Sequence, residues 1–155
     1  MFPKIVPRFY IKGIVMNGPQ GSDPRLICKE IIKALEGFVV WKYDDRFGTL
    51  LTEFGEAKKG AVQGVLKRFL SITWDSDNIA QAPEIVRVID RHLGSLRPGQ
   101  LFFSTNPDQD VFVFCAWWPW GDGQTISIRL APFDKKLSDG EKAELIGVIR
   151  GWADI

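Results

Sequence analysis

Every residue from Val111 to Trp118 is apolar. Side chains alternate between the two faces of a strand, so Val111, Val113, Cys115 and Trp117 point one way and Phe112, Phe114, Ala116 and Trp118 the other. Both faces then need cover, which places the segment in the interior of a sheet that has structure packed on both sides. The run ends in Pro119-Trp120-Gly121-Asp122-Gly123, a turn signal that carries a third tryptophan. An indole is large, stiff and amphipathic, and it either fills a core or anchors a partner.

The chain has 155 residues, 45% of them hydrophobic and 25% charged, a composition typical of a folded globular protein. One core suffices at this length, and residues 1–155 are read as a single domain. Twenty Lys and Arg stand against 19 Asp and Glu, a formal net charge of +1. That balance gives no overall field for a polyanion, which argues against nucleic acid as the partner. No apolar run approaches the roughly 18 residues of a membrane span and no export signal is visible at Met1–Arg8, so a soluble, cytoplasmic protein is expected. Cys28 and Cys115 both lie in apolar patterns and read as buried free thiols.

Arg8 to Met16 alternates as a first strand, and Asp23-Pro24 opens a helix that runs to about Glu36, with Gly37 placed to end it. Phe38–Tyr43 and Thr49–Phe54 form a hairpin around Asp44-Asp45-Arg46-Phe47-Gly48. A helix follows from Glu56, in which Gly60 and Gly64 suggest close packing, and a polar link from Trp74 to Asn78 leads to a helix over Pro83–Leu93. Strands at Leu101–Thr105, Val111–Trp118 and Thr125–Leu130 make a meander. Thr125, Ser127 and Arg129 alternate with Ile126, Ile128 and Leu130, a half-wet pattern that suggests an edge strand. Ser138-Asp139-Gly140-Glu141 is a capping box for a last helix. The expected class is α+β, a mainly antiparallel sheet of about six strands with about four helices packed on it.

Catalytic signatures are lacking. The one histidine, His92, ends a helix, and neither cysteine sits on a glycine turn or helix start where a thiol pKa would fall. Two scattered cysteines and one histidine cannot build a structural zinc site. The loop Asn17-Gly18-Pro19-Gln20-Gly21-Ser22 lacks the Gly-Lys-Ser/Thr ending of a phosphate loop, and no other cofactor motif is present. The pairs Asp44/Asp45, Asp75/Asp77 and Asp108/Asp110 have the residue type for a hard cation or for acid–base work, although aspartate is also the ordinary residue of turns. Trp118, Trp120 and Asp122 are read as a partner-binding group, with Pro119 stiffening the loop. Trp74 beside Asp75 and Asp77 forms a second anchor with an acidic rim. Two other uses of these residues remain: a small carboxylate-based or metal-dependent enzyme, and a carbohydrate or small-ligand module built on the tryptophan platform.

The Arg8-Phe9-Tyr10-Ile11-Lys12-Gly13 start, the capped helix through Leu35, the tryptophan-bearing late strands through Trp120 and the absence of a catalytic set resemble an immunity protein of a bacterial polymorphic-toxin system. Within that class the chain is similar to the immunity proteins paired with restriction-endonuclease-like nuclease toxins. The resemblance implies a non-enzymatic protein that binds its cognate toxin and blocks the toxin's active site or its activation. Many nuclease inhibitors are strongly acidic and this chain is nearly neutral, so the resemblance requires a local acidic patch, from Asp75, Asp77 and Asp122, or a contact away from the catalytic cleft.

Overall fold

The computed structural model describes residues 23–155. The expected first strand, residues 8–16, and the loop 17–22 lie outside the described residues. The fold is α+β, with one six-stranded antiparallel sheet in the order β1-β2-β6-β5-β4-β3. The strands are β1 (Lys42–Asp44), β2 (Thr49–Gly55), β3 (Ile72–Trp74), β4 (Leu101–Ser104), β5 (Val111–Pro119) and β6 (Thr125–Asp134). Among the described residues four α-helices accompany them: α1 (Leu26–Ala34), α2 (Lys59–Phe69), α3 (Glu84–His92) and α4 (Asp139–Trp152). None of the described helices is long and apolar enough to cross a membrane.

The alternation along β5 divides the interior in two. Val113, Cys115 and Trp117 join Cys28 and Ile31 of α1, Val62 and Leu66 of α2, and Leu145 and Ile149 of α4 in the larger core. On the opposite face Phe112, Phe114 and Ala116 join Phe102 and, from α3, Val86 and Ile89. Of the described helices, three therefore cover one face and one covers the other. β5 lies between β4 and β6, as a strand apolar on both faces must.

Local chemistry sets the boundaries. Asp23 Oδ1 accepts the Arg25 N–H at 2.8 Å at the start of α1, and Gly37, at φ +77°, turns the chain after it. Ser138 and Glu141 complete the capping box of α4: the Glu141 N–H donates to Ser138 Oγ at 3.2 Å and the Ser138 N–H to Glu141 Oε1 at 3.0 Å. Both cysteines are buried free thiols, and burial pushes each thiol pKa far above its ordinary value.

Several expectations need correction. β6 is an inner strand, hydrogen-bonded to both β2 and β5, because the β1–β2 hairpin adds along its outer side. Its polar residues do not stand in water: Ser127 is buried and Arg129 half-buried. The link after α2 holds a short strand, β3, paired with β4 at Ile72, Thr73 and Trp74. The strand expected at Phe38–Tyr43 begins only at Lys42, since Val40 stands in solvent at 85% exposure and Lys42 is the first residue to find a partner, Leu51. Gly60 and Gly64 mark no close approach; a methyl group at either would meet nothing within 4 Å.

Candidate functional site

The turn after β5 is closed by its own hydrogen bonds. The Trp120 N–H donates to the Thr125 carbonyl at 2.8 Å, and Gly123 takes φ +70°, a conformation that favours glycine. Asp122 organises the rest. Its Oδ1 accepts the Gln124 N–H at 2.8 Å and the Thr125 N–H at 3.0 Å, and its Oδ2 accepts the Thr125 hydroxyl at 2.9 Å. These bonds, first of all the one from Gln124, hold the Asp122 carboxyl below its ordinary range, so it is a fixed negative charge at neutral pH.

The three neighbouring indoles have different surroundings. Trp117 is 1% exposed, against Phe54 and Phe103 with ring centroids 5.7 and 6.2 Å apart. Trp118, on the other face, is half-buried beneath the Arg129 guanidinium, 4.3 Å from its ring, and meets Phe47 edge-on at 6.1 Å. Trp120 is 46% exposed at the tip of the sheet.

Trp74 occupies a different environment from the one its sequence context suggests. It is buried, with its ring 6.0 Å from Phe102, because β3 pairs it with that residue on the inner side of the α3-covered face. The indole is therefore a core residue and offers no anchor surface in the free chain. Asp75 closes a turn: its Oδ1 accepts the Asp77 N–H at 2.9 Å and the Asn78 N–H at 3.1 Å, while its own N–H donates to Asn78 Oδ1 at 2.8 Å. Asp77 is exposed. Strand register puts this turn and the Trp120 turn at the same end of the sheet, since β3 and β5 run in the same direction on either side of β4.

In each of the other acidic pairs one member is engaged. Asp44 accepts from Arg129 Nε at 2.9 Å and from the Arg46 N–H at 2.9 Å, and Asp110 pairs with Lys136 Nζ at 2.8 Å. Among the described residues no three of His, Cys, Asp and Glu gather as a group able to hold a metal ion. His92 meets the Phe47 ring edge-on at 5.8 Å.

Sequence reasoning missed the surroundings of Trp118. Leu51, Arg129, Ala116, Phe102 and Trp74 form one row across the sheet. The α3 core takes up the Trp74 side of that row, while Phe47, folded over from the β1–β2 turn, lies across the Arg129 side. The only advance signal was the arginine at an alternating position of β6, which the edge-strand reading absorbed as ordinary solvent exposure. Comparison of the chain with protein-family models, with curated proteins and with solved structures finds no match.

Proposed function

We propose that this chain is a non-enzymatic immunity protein that binds a cognate toxin, a nuclease, and neutralises it by protein–protein contact through the Trp120–Asp122 turn. The observation that carries this reading is an exposed indole on a turn already ordered by five hydrogen bonds that involve Trp120 or Asp122. Tryptophan is enriched among the residues that dominate binding energy, and a turn that is ordered beforehand loses little freedom on docking. Asp122 supplies a fixed negative charge beside the ring, and Asp75 and Asp77 supply more at the same end of the sheet, an arrangement complementary to a basic nuclease cleft. The sequence resemblance supports the toxin as the partner class.

Co-expression with the product of the adjoining gene, followed by calorimetry on the purified pair, tests the proposal. Trp120→Ala and Asp122→Lys are each expected to weaken the complex by about 2 kcal/mol or more, roughly thirtyfold, with an unchanged far-ultraviolet spectrum and melting curve. A complex that tolerates both substitutions, or no complex at all, refutes it.

A further inference from the structure

A cleft of about 280 Å³ opens beside Trp118, between the β1–β2 turn, the loop after α3 and β6. Three arginines line it, Arg46, Arg97 and Arg129, together with Gln100 and Ser95. They come from three separate stretches of the chain. Arg129 is held in place: its Nε donates to Asp44, and its guanidinium lies 4.3 Å from the Trp118 ring and 5.1 Å from the Phe47 ring. Nε is the only guanidinium nitrogen of Arg129 with an acceptor among the described residues, which leaves its terminal N–H groups as donors.

The other two arginines are less compensated. Arg46 lies over Phe47 at 4.9 Å, and neither it nor Arg97 has a carboxylate partner among the described residues. Gln100 accepts the Arg97 N–H through Oε1 at 2.9 Å, so its amide nitrogen is left to donate. The loop that carries Arg97 is tied to α3: the Ser95 N–H donates to the Asp90 carbonyl at 2.8 Å, with Ser95 at φ +67°. Among the described residues Asp44 is thus the only carboxylate paired with any of the three guanidiniums, and it pairs with Arg129 alone. The unbalanced positive charge repels itself across a small volume, and a bound anion relieves that repulsion.

Shape narrows the ligand further. Guanidiniums lie over the Trp118 ring and the Phe47 ring, so a nucleobase stacking from that side would have to displace them. The volume also falls below the roughly 300–1,000 Å³ typical of drug-sized ligands. Guanidinium forks match planar or tetrahedral oxyanions through paired N–H···O bonds. We infer that this cleft binds a compact, multiply charged oxyanion, a phosphate or polycarboxylate group, through Arg46, Arg97 and Arg129. The inference does not depend on the toxin reading, because it involves neither Trp120 nor Asp122.

The test is calorimetric titration of the full chain at low ionic strength with inorganic phosphate and, separately, with citrate, alongside NMR of the arginine Nε–H groups. Saturable binding is expected, with shifts at Arg46, Arg97 and Arg129 and an affinity that falls as sodium chloride is added. The double variant Arg46→Gln/Arg97→Gln should bind at least about tenfold more weakly, since both sites are exposed and their loss removes charge-assisted bonds without disturbing the core. Arg68→Gln, on α2 over the opposite face, should bind as the parent chain does. Binding of phosphate alone assigns a phosphate source, binding of citrate alone a carboxylate source, and binding of both the shared chemistry. No saturable binding of either anion, or binding that survives the double substitution, overturns the inference.

Discussion

Trp117, Trp118 and Trp120 sit within four residues and serve three purposes, because the strand period sends the first two to opposite faces and the turn carries the third beyond the sheet. Removing the Trp117 ring leaves a large void against Phe54 and Phe103. Trp117→Ala should cost about 3–5 kcal/mol in urea unfolding, whereas Trp120→Ala should stay within about 0.5 kcal/mol of the parent chain. A reversal of that order would mean that the exposed indole contributes to the core. The burial of Trp117 was legible from alternation alone. That of Trp74 was not, because a polar stretch on its C-terminal side hides a three-residue strand, too short to show any period.

Elements with an internal signal were read well. β5 announces itself by its length and double apolar face, and α4 by its reciprocal cap. That cap has a measurable worth: Ser138→Ala removes the acceptor of the Glu141 N–H and should lower stability by about 1 kcal/mol, with helix loss confined to the first turn of α4 in amide exchange. Elements whose character depends on their neighbours were misread. Half-wet alternation describes a face with incomplete cover, and it does not distinguish a border strand from an inner one. β6 has that alternation because the Arg129 side of its face is covered by one folded-over phenylalanine and an ion pair with Asp44 in place of a helix. The cleft beside it is likewise invisible in the sequence, since its arginines lie at positions 46, 97 and 129 and only the register brings them together.

At the scale of the whole molecule, one buried charge network joins distant parts of the chain. The Arg25 side chain, 0% exposed at the start of α1, binds Asp23 and also donates through Nη1 to Asp134 Oδ2 at 2.9 Å, at the end of β6. The Asp134 side chain is itself only 6% exposed. Asp134→Ala removes one charged acceptor from a guanidinium that keeps Asp23, and should destabilise by about 1.5–3 kcal/mol. A cycle with Arg25→Met tests whether the cost is coupling: the double variant should lose clearly less than the two single losses combined. Full additivity would show that the two side chains act separately.

The two borders of the sheet, among the described residues, are the three-residue strands β1 and β3. A border that short offers few unpaired backbone groups, so it is a poor template for further strands. Fibril-like stacking of one molecule on the next has little purchase here.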